Sequence, residues 1–191
     1  PSAPENVMTI FEDSEGNLWT GSYLSGLSKL DRKTGKFTHS DKLADRNGDN
    51  VQRVFDMKED SEKRLWIATM GSGIFSMDLR TGAVENLDAL PGRISLPGEN
   101  FLPNSWVNCL LIAKDNKLFI GTFNGLACLD LETKSFISTF GVNSLLKGVV
   151  IYALFDDDKG NLWAGTSQGL KKICRATRAI TTLDMGDGLP S

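Results

Sequence analysis

The chain has 191 residues, a formal net charge of −3, and 21 basic against 24 acidic side chains. Its basic residues are scattered, whereas nucleic-acid binding needs clustered cations that displace counterions from phosphates, so we expect no nucleic-acid partner. No apolar run approaches the 18 residues of a membrane-spanning helix, and the length is sufficient to bury a substantial core.

The first residue and the cysteines bear on processing of the chain and on its redox compartment. The sequence begins at Pro1 without a Met or a signal peptide, which indicates a removed leader or a piece of a longer protein. Cys109, Cys128 and Cys174 lack the CxxC spacing of zinc sites, and their odd number argues against a disulfide scaffold. We expect partly buried thiols, which leave the redox compartment open.

Four segments of the chain align with one another. They are Val7–Phe37, Val51–Val84, Val107–Phe136 and Val150–Ile180. Each copy carries one aromatic anchor, and the anchors are Trp19, Trp66, Phe119 and Trp163. The anchors are separated by 47, 53 and 44 residues, close to the repeat length of propeller blades, which is roughly 40–50 residues.

Each copy has the same internal order. A short strand such as Met8–Glu12 comes first, followed by a polar turn. The turns are residues 13–17, 60–64, 115–117 and 157–161, so the third turn is expected to be two residues shorter. A second strand with the pattern Leu-aromatic-small-Gly-Thr leads to a tip that ends in glycine, and two more short strands complete the copy.

This pattern predicts an all-β fold of β-propeller blades, as four repeats of a four-stranded antiparallel sheet. Alternation of period two and frequent breakers exclude long helices. We expect one segment, 1–191, with blades at about 6–40, 50–88, 105–139 and 149–183. The anchors are interpreted as plugs between adjacent sheets, since an aromatic ring fills such a wedge. A sugar-stacking role is the alternative, although such a residue need not recur in every blade.

The motif D-x-x-G-N-L-W-x-G-T-x-x-G-L stands at Asp157–Leu170 and, with small changes, at Asp13–Leu27. It resembles the two-component regulator propeller repeat, and the resemblance covers nearly the whole chain. Departures are Ala68, where the other copies have glycine, and Phe119, where they have tryptophan.

The resemblance implies an extracytoplasmic, periplasmic sensor module of a hybrid two-component histidine kinase that regulates glycan use. An oligosaccharide ligand, the rest of the sensor propeller and the kinase chain are the partners that it implies. A propeller enzyme such as a polysaccharide lyase and a protein-interaction scaffold are the alternatives. We expect no catalytic activity in this segment and no cofactor.

Four blades without a spare strand for ring closure are interpreted as a fragment of a longer propeller. Open terminal blades would expose apolar faces and strand edges that favour self-association. We therefore expect a homodimer, as an eight-bladed ring with two-fold symmetry.

Few residues offer chemistry. His39 is the single histidine and has no G-x-S-x-G motif beside it, so a solvent-facing role is expected. Asp45, Asn47 and Asp49 could offer oxygen ligands to calcium, but Asn50 and Asp56 stand where an EF-hand loop needs Gly and Glu, which favours a polar connector. The acidic first turns are interpreted as a solvated face, and no metal site is predicted.

Ligand recognition is assigned to the tips between the second and third strands. The tips are Tyr23–Leu24, Met70–Gly71, Phe123–Asn124 and Ser167–Gln168, and they vary within a constant frame. The predicted ligand-binding residues are Tyr23, Phe123, Asn124 and Gln168, whose rings and amides could stack on and hydrogen-bond a sugar. Packing of Tyr23 and Phe123 against neighbouring loops is the alternative.

Overall fold

The computed structural model describes residues 4–45, 47–87, 102–137, 146–157, 159–183 and 186. These residues form sixteen strands in four antiparallel sheets of four strands each. The strands of every sheet lie in sequence order, so each sheet is a meander built from one repeat. The predicted all-β fold is confirmed. No helix within the described ranges has the length and apolarity needed to cross a bilayer.

Strand bounds follow the repeats. The first sheet contains β1 (Val7–Glu12), β2 (Leu18–Ser22), β3 (Leu27–Asp31) and β4 (Lys36–His39). The second contains β5 (Val54–Glu59), β6 (Arg64–Thr69), β7 (Ile74–Asp78) and β8 (Val84–Asn86). The third contains β9 (Val107–Ile112), β10 (Lys117–Thr122), β11 (Gly125–Asp130) and β12 (Ser135–Phe136). The fourth contains β13 (Ile151–Asp156), β14 (Asn161–Thr166), β15 (Gly169–Cys174) and β16 (Ile180–Leu183).

The chain divides into two compact units. The first unit holds the first two sheets together with Ser105–Val107, and the second holds the rest of the third sheet and the fourth sheet. A single propeller segment over 1–191, with the blade limits given above, stays a prediction.

The core of the first unit lies between its two sheets. Trp19 and Leu27 of the first sheet are buried in one cluster with Val54, Met57 and Phe75 of the second. Burial of apolar surface contributes roughly 25 cal/mol per Å². The two sheets therefore stabilise each other, as the repeat pattern requires.

The second unit repeats this arrangement. Phe119 and Leu126 of the third sheet are buried with Ile151, Leu162 and Ile173 of the fourth. Cys109 and Cys128 are free, buried thiols of the same cluster, and Cys174 is a half-buried free thiol. Burial raises the pKa of Cys128 to about 12, so this thiol is inert at neutral pH.

A glycine in the second strand lets paired sheets approach closely. A Cβ atom at Gly21 would lie 2.5 Å from Cγ1 of Val54, and one at Gly121 would lie 2.8 Å from Cγ2 of Ile151. Real Cβ atoms do not approach so closely, so each of these positions accepts only glycine without rearrangement. The β-branched residue that opens the following sheet occupies the space.

Candidate functional site

The candidate site lies where the tips meet the connectors between sheets. Successive strands alternate in direction, so the tips and the connectors lie at one end of each sheet and the acidic first turns lie at the other. Each unit presents its own group of tip residues. We call Tyr23, Arg53, Phe55, Met70 and Trp106 of the first unit the first tip cluster.

Backbone hydrogen bonds fix the first tip cluster. The Tyr23 N–H donates to the Asn6 carbonyl over 3.0 Å, and the Met70 N–H donates to the Arg53 carbonyl over 3.0 Å. Met70 also forms a β-bridge with Trp106. The tips are therefore held against the segments that precede the first strands of their sheets, which pre-organises the side chains that they carry.

The side chains of this cluster combine aromatic rings with a cation. Tyr23 is 38% exposed, and the Arg53 guanidinium lies 5.2 Å from its ring centroid. Phe55 supports Tyr23 in an edge-on contact at 6.3 Å between ring centroids. Trp106 is 43% exposed. Exposed rings can stack on the C–H face of a sugar, and a guanidinium can donate to hydroxyl or carboxylate oxygens.

The tips of the second unit form a different surface. We call Phe123, Asn124, Ser167 and Gln168 the second tip cluster. Oδ1 of Asn124 accepts from the Gly148 N–H over 2.9 Å, and its Nδ2 donates to the Pro103 carbonyl over 3.4 Å. The Asn124 amide therefore binds the two neighbouring connectors, at Pro103 and at Gly148. Phe123 is half-buried and Gln168 is exposed, and ligand binding by these residues stays a prediction.

Sequence reasoning missed three members of the first tip cluster. Arg53, Phe55 and Trp106 lie outside the tips. In the folded chain Arg53 and Phe55 contact Tyr23, and Trp106 pairs with Met70. One signal was available for Trp106. It is the single tryptophan of the chain that does not stand at the anchor position of a repeat.

The anchors carry a hydrogen bond that the repeat pattern did not reveal. Each tryptophan donates its indole N–H to the aspartate that opens its turn: Trp19 to Asp13 over 2.8 Å, Trp66 to Asp60 over 2.8 Å and Trp163 to Asp157 over 2.9 Å. Trp19, Trp66 and Phe119 are buried, whereas Trp163 is half-buried.

The prediction of solvated acidic turns is wrong for Asp13 and Asp60, which are buried. Each accepts hydrogen bonds from an indole and from turn N–H groups, and these offset the cost of burying a carboxylate. Burial opposes ionisation of Asp13, but the bonds from Trp19 and Asn17 hold its pKa below the ordinary value.

The third turn is not shortened, contrary to the prediction. The Ala113 N–H donates to the Lys117 carbonyl over 2.8 Å, as the Asp13 N–H does to Asn17 over 2.9 Å. Ala113 therefore occupies the position of the buried aspartate. Phe119 stands in place of the tryptophan in this repeat, and its phenyl ring has no N–H that would need an acceptor.

The remaining candidates have structural partners. His39 is exposed, and its Nδ1 lies 2.7 Å from Ser28 Oγ. Oδ1 of Asp45 accepts from the N–H groups of Asn47 and Asp49 over 2.8 and 3.0 Å, which is the geometry of a turn. A cluster of three metal-ligating side chains is not found in the described part of the chain.

Three segments, residues 2–24, 45–71 and 145–168, match the two component regulator propeller family. The resemblance to this family that the sequence motif indicated is therefore confirmed for three of the four repeats. The match leaves out the third repeat, in which Ala113 and Phe119 replace the Asp–Trp pair. No curated protein sequence matches the chain.

Solved structures share the fold. The extracellular domain assigned to a hybrid two component system of B. thetaiotaomicron is 23% identical, with a TM-score of 0.71 over 95% of this chain and 24% of that one. A second such domain from B. thetaiotaomicron is 21% identical, with a TM-score of 0.67 over 93% and 24%. Inactive H270A virginiamycin B lyase from Staphylococcus aureus is 15% identical, with a TM-score of 0.67 over 98% and 59%.

The chain spans about a quarter of the length of the two-component domains that it resembles. At these identities the likeness establishes the propeller fold. The propeller blades predicted from the repeats are thus confirmed.

Proposed function

We propose that the chain is a non-catalytic, ligand-sensing propeller module from the periplasmic part of a hybrid two-component sensor, and that its ligand is an oligosaccharide. The regulator propeller repeats and the fold shared with two extracellular sensor domains support this proposal. In this role the module works with the rest of the sensor propeller and with a histidine kinase of the same chain.

The first tip cluster is the observation that carries the proposal. Exposed Tyr23 and Trp106 stand on backbone fixed by hydrogen bonds, and the exposed cation of Arg53 lies beside Tyr23. Sugars are bound through stacking on rigid rings combined with a few directed polar groups. The guanidinium favours sugars that carry a carboxylate, because it can form two parallel hydrogen bonds with that group.

Calorimetric titration of the chain with hexasaccharides of xylose, mannose and galacturonic acid tests the proposal. We expect binding of at least one of them, and a loss of about tenfold or more in affinity for Tyr23→Ala, since tenfold corresponds to about 1.4 kcal/mol. The matched control is Tyr152→Ala, which removes the other tyrosine, exposed on β13, and should leave affinity unchanged.

Arg53→Gln tests the contribution of the guanidinium separately from that of the aromatic rings. It should weaken binding of the galacturonic acid hexamer more than binding of the neutral hexamers, because only the former offers carboxylates. If Tyr23→Ala and Phe123→Ala leave binding unchanged in the intact receptor, the tips are not the recognition surface. Binding of a protein partner without any binding of the three hexasaccharides would favour an interaction scaffold instead.

We also propose that copies of the chain associate with one another. Large apolar side chains are exposed on β1 and on β13, which include Ile10 and Phe155. Exposed apolar sheet faces of this kind mark interaction surfaces.

A further inference from the structure

We propose that the association is head to tail: the exposed face of β13 and β14 in one copy packs on the exposed face of β1 and β2 in a second copy. In this contact Val7 of the second copy lies against Gly165 of the first. The inference rests on the proposed association of copies and is independent of ligand sensing.

Each unit already contains such an interface, and it supplies the template. In the first unit Val54 lies against Gly21, and in the second unit Ile151 lies against Gly121. Strand register makes the positions equivalent, because Val54 and Ile151 occupy the place of Val7 in the first sheet, and Gly165 occupies the place of Gly21. The contact thus recurs between a β-branched residue and a glycine.

One half of this interface is exposed on the first sheet. Val7 is 42% exposed, whereas its equivalents Val54 and Ile151 are fully buried. Ile10 is 65% exposed, whereas its equivalent Met57 is almost fully buried against the first sheet. The first sheet therefore presents the residues that another sheet would cover.

The other half is exposed on the fourth sheet. Phe155 is 64% exposed and lies directly opposite Trp163, which is half-buried although its equivalents Trp19 and Phe119 are buried. A Cβ atom at Gly165 would meet only Cβ of Ala153, at 3.8 Å. The glycine that admits a neighbouring side chain in the other two cases is open here.

These features identify the occupant of each face as the opposite face of a second copy. The β1 face offers β-branched Val7 and aliphatic Ile10, and the β13 face offers Gly165 and the two aromatic rings of Phe155 and Trp163. A contact between identical β13 faces would leave Gly165 unfilled, so each face is complementary to the opposite face and not to itself. The association is therefore heterologous.

The mass of the chain in solution, measured by light scattering on a sizing column over a concentration series, gives the first result. We expect a mass of at least twice the 20.9 kDa of the monomer. A monomer at all concentrations would overturn both the association and the proposed contact.

Gly165→Val is the most specific variant, because the added side chain has space in the single copy but fills the place proposed for Val7. We expect a folded monomer. Leu24→Lys is the matched control, since it places a charge on an apolar side chain exposed away from both faces and should leave the mass unchanged.

Mixing two charged variants tests the direction of the contact. Ile10→Lys and Phe155→Asp should each be monomeric alone, because each loses one face of every contact. A mixture retains one intact β1 face and one intact β13 face, so it should form dimers. Association that survives both substitutions would overturn the head-to-tail contact while leaving the proposed association and ligand sensing standing.

Discussion

At the residue scale, an indole N–H paired with an aspartate carboxylate recurs in three of the four repeats, and the carboxylate is buried in two of them. In the pair of Trp19 and Asp13 the carboxylate satisfies the buried indole N–H. The same carboxylate also accepts from the N–H groups of Glu15 and Asn17. Hydrogen bonds to charged acceptors contribute about 1.5–3 kcal/mol, against about 0.5–1.5 kcal/mol for neutral pairs. The pair therefore favours the ionised form of the acid.

This preference predicts a pH-dependent effect of Asp13→Asn. The pKa of Asp13 is lower in the folded state than the ordinary value of 3.8. Its stabilising contribution is thus complete above the unfolded pKa and is lost as the pH falls through the folded value. We expect the variant to be about 1 kcal/mol less stable at pH 7, and the difference to shrink below about pH 4.

Urea unfolding of both proteins at pH 7, 5 and 3, followed by tryptophan fluorescence, measures this difference. The comparison with the variant isolates Asp13 from the other acids of the chain. A stability difference that stays constant from pH 7 to pH 3 would show that ionisation of Asp13 does not stabilise the fold.

The third repeat predicts that Asp13 and Trp19 are energetically coupled. Asp13→Ala and Trp19→Phe should each destabilise the fold, because each leaves a buried polar group without its partner. The double variant recreates the pair found at Ala113 and Phe119, so it should cost less than the two single changes added together, with a coupling of about 1 kcal/mol or more. Denaturant unfolding of the four proteins gives this coupling, and strict additivity would contradict it.

At the element scale, the repeat predicted the sheets well because each meander is built from one continuous copy. The error in the third turn arose because alanine replaces the aspartate that marks the turn elsewhere, at Ala113. The three missed members of the first tip cluster are Arg53, Phe55 and Trp106. Arg53 and Phe55 contact Tyr23 and Trp106 pairs with Met70 only in the folded chain, so the sequence spacing does not indicate these contacts.

Burial of the anchors shows the same limit. Trp19 and Trp163 occupy equivalent positions of the repeat, yet Trp19 is buried and Trp163 is only half-buried. The difference comes from the neighbouring sheet, which covers Trp19 but not Trp163. A local pattern can therefore predict a plug but not whether another sheet covers it.

Glycines at equivalent positions should respond differently to substitution. Gly21→Val places its side chain against Val54, and overpacking of this kind costs about 1–3 kcal/mol. Gly165→Val should be neutral or slightly stabilising in the single copy, because the site is open and valine suits a strand. Thermal unfolding of the two variants at low concentration measures this contrast, and equal destabilisation would show that the two glycines have equivalent surroundings.

At the scale of the whole molecule, the proposed functions occupy different surfaces. The first tip cluster lies at the ends of the strands, whereas the proposed association uses the faces of β1–β2 and β13–β14. Gly165→Val should therefore remove association and keep oligosaccharide affinity, and Tyr23→Ala should do the reverse. Sizing and calorimetry on both variants measure this, and loss of both properties in either variant would contradict the separation.

Quenching of tryptophan fluorescence by acrylamide measures whether an oligosaccharide binds at the first tip cluster. Trp106 is the most exposed of the four tryptophans, so it should dominate quenching in the free chain. At saturating concentrations of a bound hexasaccharide we expect quenching to fall, and we expect Trp106→Phe to abolish that change. Unchanged quenching with all three hexasaccharides, or the same protection in Trp106→Phe, would contradict binding at this cluster.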